Sequence, residues 1–273
     1  MAGSPREDDK LQITIDGLGI RFHGGVEAVR NVSFTVRSGE FVAVVGPSGC
    51  GKSTMLNAIS SLISSEEAEI RGRIAVDGTE VHVDTPPLRS LGYVFQRDTL
   101  FPWRTMIQNV ESGMEIQGAP AAERARRARA LIDTVGLSGF EQYYPHQVSG
   151  GMRQRAALIR TLAYEPQVIL MDEPFGALDA QTRMILQGEL LRIWAGSKKT
   201  ILFVTHDLAE AITLGERVIL FSKRPGTVMQ IYDVPFPQPR DPITLRGLSE
   251  FAQLHAYIWR TLSEEFRAEG GEA

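Results

Sequence analysis

The sequence predicts an α/β protein built around a parallel sheet, with a helical block inserted in it. Apolar runs of strand length recur along the chain, at residues 41–45, 168–171 and 201–204. Helical patterns near residues 53–63 and 180–195 lie between these runs. This alternation is typical of parallel sheets, because two parallel strands need a long crossover between them. The stretch 105–165, rich in Ala, Arg, Leu and Glu, predicts the inserted helices.

The other elements follow in chain order. Residues 1–10 contain no apolar segment, so we expect a disordered tail there. Alternating apolar and polar residues over 11–45 predict strands, with a break at Ser38-Gly39-Glu40. Residues 70–83 predict a strand and a turn at Asp77-Gly78, and residues 93–95 a further short strand. After residue 222 the chain is proline-rich, and the pattern over 248–268 predicts a last helix.

Composition restricts the function classes. The 273 residues carry a net charge of −4, whereas nucleic-acid binders usually show a basic excess. A cluster of arginines on one predicted helix spreads over a wide face, which favours a solvated surface: Arg124, Arg126, Arg127 and Arg129. No run approaches the ~18 uncharged apolar residues that a membrane-spanning helix needs. We therefore expect that any work at a membrane requires docking to another chain.

A glycine-rich segment follows the first apolar run, and it predicts a nucleoside triphosphate site. Backbone N–H groups of such a loop surround phosphates, and the next helix points its N-terminus at the same anion. Lys52 is placed to reach the β- and γ-phosphates, and the Ser53 hydroxyl to ligate Mg²⁺. A strand before the loop and a helix after it distinguish it from an ordinary glycine turn. The predicted contacts are Gly46, Pro47, Ser48, Gly49, Cys50, Gly51, Lys52, Ser53 and Thr54.

Cys50 lies inside this loop and is the single cysteine of the sequence. One cysteine gives no disulfide framework and fits a reducing compartment. We interpret it as a small residue in a tight loop, and a redox-sensitive thiol is the alternative.

Two acidic residues end the second apolar run. Asp172 and Glu173 follow four apolar residues, whereas paired acids elsewhere in a chain are usually only solvated. In phosphate-loop ATPases such a strand lies beside the loop, and its first acid helps to hold Mg²⁺. The second acid is well placed to polarise an attacking water as a general base.

Ser149-Gly150-Gly151 forms a turn that opens a further helix pattern. Serine is a good N-cap, and the exposed N–H groups at a helix start bind anions. On its own the turn has two interpretations, a plain cap or an anion contact.

Taken together in this order, the motifs resemble those of the ATP-binding subunit of an ABC transporter, over about residues 11–222. The turn at 149–151 resembles the signature motif Leu-Ser-Gly-Gly-Gln, with Val148 in place of Leu and Met152 at the fifth position. Both changes leave the Ser-Gly-Gly turn intact. The resemblance implies a phosphate-loop NTPase core of the RecA-like type, an antiparallel β subdomain and an α-helical subdomain at about residues 97–160. Residues 223–273 would form a C-terminal segment packed on the core.

The resemblance also implies roles for further residues. Gln96 resembles the glutamine at the joint between core and helical subdomain, near both nucleotide and metal, and His206 the switch histidine at the γ-phosphate. Gly176-Ala177-Leu178-Asp179 resembles the loop that communicates between two sites. Phe22 is placed like the aromatic ring that stacks on adenine. Phe22 as a core residue, and His23 as the adenine contact, are the alternatives.

Such subunits pair head to tail, and each ATP lies between one chain's phosphate loop and the other chain's Ser149–Gly151 turn. The expected cofactors are ATP and Mg²⁺, and the expected catalytic residues are Glu173, His206, Lys52 and Gln96. The expected partners are a second cassette, membrane permease subunits and, indirectly, a solute-binding protein. The expected location is the cytoplasmic face of the cell membrane.

Residues 96–105 resemble a segment of importers for nitrate, sulfonates and taurine, and residues 152–155 are similar to that group too. We therefore interpret the chain as serving an importer of small organic anions, or a near relative that handles pyrimidine precursors. Three alternatives remain: a soluble ABC-type ATPase, an exporter subunit and a purely regulatory nucleotide-binding protein. For the C-terminal segment, packing against the core and a role in regulation or dimer contact both remain open.

Overall fold

A computed structural model describes residues 10–176 and 178–267, with side chains described through residue 263. The predicted tail lies outside this part except for Lys10, and so do Ala177 and residues 268–273. Within the described part, no helix combines the length and the apolar character that crossing a bilayer requires.

A six-stranded sheet forms the centre of the molecule, in the order β10-β9-β3-β8-β7-β6. Five strands are parallel, and β10 pairs antiparallel with β9 at one edge. Every residue of the strands β3, β7 and β8 is buried, as continuous apolar runs predict for a sheet covered on both faces. The strands are β3 Phe41–Val45, β6 Leu91–Val94, β7 Val168–Asp172, β8 Thr200–Thr205, β9 Arg217–Phe221 and β10 Val228–Asp233.

A four-stranded antiparallel sheet packs on one face of the central sheet, in the order β2-β1-β4-β5. Its strands are β1 Leu11–Phe22, β2 Glu27–Arg37, β4 Ala68–Val76 and β5 Thr79–Glu80. Helix α1, Lys52–Ile59, lies between the two sheets, and Val42 and Val44 of β3 point into this core. The intervening residues of β3, Phe41, Ala43 and Val45, face the opposite core. Each face of the central sheet therefore has its own apolar layer.

Helix α1 is shorter than predicted and ends at Ile59 rather than near residue 63. The Ser60 hydroxyl donates to the carbonyls of Leu56 and Asn57, and Ser61 adopts a left-handed conformation with φ of 57°. Serine competes for backbone groups in this way, which ends the helix early.

Helices cover the opposite face of the central sheet, and three of them lie between β6 and β7 in the chain. These three are α2 Met106–Ile116, α3 Ala121–Thr134 and α4 Gly150–Ala163. The buried Asn109 side chain donates to the carbonyls of Phe101, Arg104 and Thr105 and fixes the turn before α2. The remaining helices are α5 Ala180–Ser197, α6 Leu208–Leu214, α7 Pro242–Arg246 and α8 Ser249–Arg267. The predicted α/β class, with an antiparallel sheet and inserted helices, is confirmed.

The segment after β10 is held to the core by one buried guanidinium. Arg240 donates to the carbonyls of Ile212, Thr213 and Gly215, and to those of Val234 and Phe236 in its own segment. Burial lowers the pKa of Arg240 to about 10, so the group stays charged at neutral pH. The apolar side of α8, Phe251, Ile258 and Leu262, joins the same core as the central helices.

We expect Arg240→Met to destabilise the chain by about 3 kcal/mol, because several buried carbonyls lose their donor together. The midpoint of urea unfolding measures the change. Arg240→Lys should recover only part of the loss, since an ammonium cannot reach all of these carbonyls. The exposed Arg71→Met is the matched control, and equal midpoints for the 240 and 71 variants would contradict this role.

Candidate nucleotide site

The candidate site lies where the parallel strands β3, β7 and β8 end at the same edge of the sheet. In the register, Val45 lies opposite Thr205, and Asp172 lies opposite Val204. The glycine-rich loop, Glu173 and His206 each follow directly after one of these strands. Open α/β sheets bind ligands at this carboxyl edge, so the topology brings the predicted motifs together.

The loop of residues 46–51 joins β3 to α1 under tight steric limits. A Cβ atom on Gly51, where φ is 101°, would lie 2.4 Å from the Ala28 carbonyl oxygen. At Gly46 a Cβ atom would lie 2.8 Å from the Phe221 carbonyl oxygen. Only glycine fits both close approaches, which place the loop against β2 and β9. Ser48, Gly49, Ser53 and Thr54 lie on the same loop and the first turn of α1, with Pro47 and Cys50 between the glycines.

Lys52 occupies the mouth of this loop. Its Nζ donates to the carbonyl oxygens of Gly46 and Pro47, each at 2.8 Å, and the residue is 4% exposed. A buried ammonium bound to neutral carbonyls is well suited to take anionic oxygens in their place. Lys52 also lies 3.7 Å from the Cys50 Sγ. Burial raises the pKa of the Cys50 thiol, which favours its interpretation as a small packing residue over a reactive thiolate.

Ser53 and Asp172 place a hydroxyl and a carboxylate side by side in the site. The Ser53 hydroxyl donates to Asp172 Oδ1 at 2.8 Å. Burial raises the pKa of Asp172, and the charge of Glu173 raises it further. The hydrogen bond from Ser53 and the charge of Lys52 oppose this rise. A hydroxyl and a buried carboxylate side by side form a donor set that suits Mg²⁺, which prefers a few hard oxygen ligands. Gln96, also predicted as a metal ligand, makes no described hydrogen bond to this pair.

Glu173 connects two other predicted side chains, Gln96 and His206, through a single oxygen. Its Oε2 accepts a hydrogen bond from Gln96 Nε2 at 3.3 Å and lies 3.0 Å from His206 Nδ1. The backbone of Glu173 is left-handed, with φ of 43°, and its N–H donates to the Val204 carbonyl. A non-glycine residue in this region is uncommon and is held there by its surroundings, as at many functional sites. The chain thus brings Glu173, Gln96 and His206 together beside Asp172.

The Ser149–Gly151 turn and Asp179 are not joined to this site. Ser149 Oγ caps α4 by accepting from the Met152 N–H at 3.3 Å, and Ser149 and Gly150 are exposed. Asp179 caps α5 by accepting from the Thr182 N–H, and this contact lowers the pKa of Asp179. Among the described residues, no hydrogen bond or ion pair connects either turn to the glycine-rich loop.

Phe22 is not joined to the loop by any described contact either. Its half-buried ring, at the end of β1, packs against the core between the two sheets. The neighbouring His23 is exposed, and its Nε2 lies 2.9 Å from the Ser65 carbonyl oxygen. Both rings remain open to a ligand on their exposed sides.

One supporting residue was not anticipated from the sequence. Gly226 donates to the Ala28 carbonyl and accepts from the Arg30 N–H, each at 2.9 Å. A Cβ atom at this position would lie 2.2 Å from the Cys50 carbonyl oxygen, so the segment braces the back of the glycine-rich loop. In the sequence, the only signal at this position is the pair Pro225-Gly226, which indicates a turn. The pair does not indicate that the turn packs against Cys50.

Comparisons with known proteins agree with this geometry. The family model described as ABC transporter matches residues 29–176. An uncharacterized ABC transporter ATP-binding protein of Methanocaldococcus jannaschii is 44% identical, across 95% of this chain and 94% of that protein. An aliphatic sulfonates import ATP-binding protein of Bacillus cereus is 40% identical, across 84% of this chain and 89% of that protein. A dimeric ATP-binding cassette, solved in a post-hydrolysis state bound to ADP and Pi, superimposes with a TM-score of 0.72 at 31% identity. The superposition covers 82% of this chain and 100% of that cassette.

We expect Glu173→Gln to lower ATP turnover by about 100-fold or more, because an amide cannot act as a general base. ATP should still bind, so an ATP-bound dimer should accumulate. Phosphate release measures the first effect, and gel filtration with ATP and Mg²⁺ the second. Glu123→Gln, in the first turn of α3, is the matched control. Turnover of Glu173→Gln at the wild-type rate would exclude this carboxylate as the base.

We expect Gly226→Ala to weaken ATP binding by about tenfold or more, because its Cβ would displace the Cys50 carbonyl and with it the loop. Titration with a fluorescent ATP analogue measures the affinity. Gly196→Ala is the control, since a Cβ there meets no atom within 4 Å. An affinity for Gly226→Ala equal to that of the control would show that the loop does not depend on this brace.

Proposed function

The chain belongs to the ABC transporter family, and from this premise we propose that it energises the uptake of a small organic anion of the sulfonate type. It is an ATP-binding cassette that hydrolyses ATP, and its membrane partners are separate permease subunits. The observation that carries the hydrolytic role is the convergence of Gln96 and His206 on Glu173, beside Asp172 and the glycine-rich loop. The similarity to sulfonate import proteins supports the class of solute.

In the proposed mechanism the chain supplies positioning and charge. Lys52 exchanges its carbonyl partners for phosphate oxygens, and the loop N–H groups hold the remaining ones. Ser53 and Asp172 would hold Mg²⁺, which neutralises charge on the phosphates. Glu173 releases Gln96 and His206 and orients the attacking water as general base. His206 is then free to donate to the γ-phosphate. Phe22, at the end of β1, would stack on adenine.

The complete site requires two cassettes. Ser149 and Gly150 are exposed and Gly151 is half-buried at the start of α4, and these residues make no described hydrogen bond to their own glycine-rich loop. A second chain placed head to tail would bring this turn and Asp179 onto the bound ATP. ATP then favours the closed pair because it contacts both chains, and hydrolysis removes that preference. The similarity to a dimeric cassette supports this arrangement.

A groove at the joint between the central sheet and the inserted helices is the proposed docking site for a membrane subunit. It encloses about 590 Å³, and its lining includes Tyr93, Phe95, Phe101 and Tyr164. Ile116, in this lining, is 86% exposed, and Trp103, which is 72% exposed, lies beside the groove with its ring centroid 5.6 Å from that of Phe101. Exposed apolar surface of this kind marks an interaction site. Phe95, in the lining of the groove, directly precedes Gln96. A helix bound in the groove would therefore be coupled to the nucleotide site through Gln96.

Charge further restricts what the groove accepts. Arg160 lines it, donates to the carbonyl and hydroxyl oxygens of Thr99, and lies over the Phe101 ring. Arg89 also lines the groove and is exposed. We propose that the occupant is a short amphipathic helix with at least one carboxylate, on the cytoplasmic side of a permease. A solute-binding protein outside the membrane would complete the importer.

We expect Trp103→Ala to reduce the recovery of a polytopic membrane protein about tenfold when the tagged chain is purified from detergent-solubilised membranes of its own organism. ATP affinity of the isolated chain should not change. Trp259→Ala, an exposed tryptophan on α8, is the matched control. Recovery of cytosolic partners alone would support a soluble ATPase instead. With the copurified subunits in proteoliposomes, ATP-dependent uptake of an alkanesulfonate supports the solute class, and its absence contradicts it.

A further inference from the structure

A buried chain of hydrogen bonds connects the C-terminal segment to the loop of His206. It begins at Arg246 on α7, whose Nη2 donates to Gln187 Oε1 at 3.1 Å. Gln187 Nε2 donates to Glu210 Oε1 at 3.1 Å, and Glu210 Oε2 accepts from the Thr205 hydroxyl at 2.7 Å. Thr205 Oγ1 in turn accepts from the Asp207 N–H at 3.0 Å. We call these four side chains, Arg246, Gln187, Glu210 and Thr205, the buried relay.

The direction of every bond in the buried relay is determined. The Gln187 amide has its oxygen on Arg246 and its nitrogen on Glu210, so neither end is interchangeable. Gln187 is fully buried, Thr205 is 1% exposed and Glu210 is 3% exposed. Burial raises the pKa of Glu210 in spite of its hydrogen bond from Thr205 and the charges of Arg183 and Arg246. Apolar side chains could fill this space without that desolvation, so the polar groups point to a requirement for geometry.

The relay ends on both sides of His206. Thr205 is the last residue of β8, and Asp207 caps α6 through the N–H groups of Ala209 and Glu210. Arg183, in the first turns of α5, lies 3.5 Å from Asp207 and 3.6 Å from Glu210. The helix that follows Asp179 is therefore tied to the same group.

We propose that Arg246, Gln187 and Glu210 are positioning residues for ATP hydrolysis, which fix the backbone at His206 and make the C-terminal segment part of the catalytic apparatus. This rests on the proposed role of His206. None of the three lies among the predicted phosphate or metal contacts, so their effect should appear in the rate of hydrolysis and not in ATP affinity.

An exchange of the two central groups tests the relay. In Glu210→Gln, the single amide oxygen cannot accept from both Gln187 and Thr205, so one bond is lost. The double variant Gln187→Glu/Glu210→Gln reverses the donor and acceptor only between positions 187 and 210, retains acceptors for Arg246 and Thr205, and keeps the net charge. We expect kcat of the full-length chain to fall about fivefold or more in the single variant, and to return to within about twofold of the wild type in the double. Affinity for a fluorescent ATP analogue should stay within about twofold throughout.

A second pair of variants tests the link to α7. Arg246→Met should lower kcat in the same way, whereas Arg192→Met, an exposed arginine on α5 paired with Glu189, should not. Unchanged kcat in Glu210→Gln and Arg246→Met, or losses of kcat that the double variant does not recover, would overturn the proposal. Melting temperatures that fall while kcat is retained would assign the relay to stability alone, which also overturns it. A wild-type chain without turnover would instead reject the proposed function.

Discussion

The position of strand β3 is the constraint on which the site depends. All its residues are fully buried, and it pairs in parallel with β8 on one side and β9 on the other. Because parallel strands end at a common edge, this pairing fixes where the glycine-rich loop, Asp172 and His206 emerge. A slip of one residue would turn Phe41, Ala43 and Val45 from one core to the other. The two apolar layers thus maintain the register of the strands, and the register places the groups that we propose to be catalytic.

The polar groups of the site are already satisfied by one another. Lys52 is bound to two carbonyls, Ser53 to Asp172, and Glu173 to Gln96 and His206. Burial makes an unpaired charge or donor unfavourable, so these contacts stabilise the chain. A ligand must replace each contact with an equivalent one. A triphosphate with its cation has the oxygens and charges to do this, which explains why so many groups converge on so small a volume.

The sequence predicted most where a local pattern states a physical requirement. The loop at 46–54, the acids after β7 and the cap at Ser149 follow from nearby residues, and the alternation of strands and helices followed from periodicity. Contacts between segments that lie far apart in the chain could not be predicted from these local patterns. Gly226 braces Cys50, and Gln187 joins Glu210 to Arg246, only because the fold brings separate segments together. The end of α1 was placed too late, since the hydroxyl of Ser60 and the left-handed Ser61 override the apolar pattern.

The contacts that Gln96 and His206 share on one oxygen of Glu173 have a consequence for ATP consumption in the cell. In the single chain, that carboxylate contacts Gln96 and His206, and Ser149 is exposed. An unpaired copy therefore lacks both a free base and the phosphate contacts of a partner's turn. Two copies that pair around ATP supply both, so ATP consumption should follow the number of paired cassettes and not the number of chains.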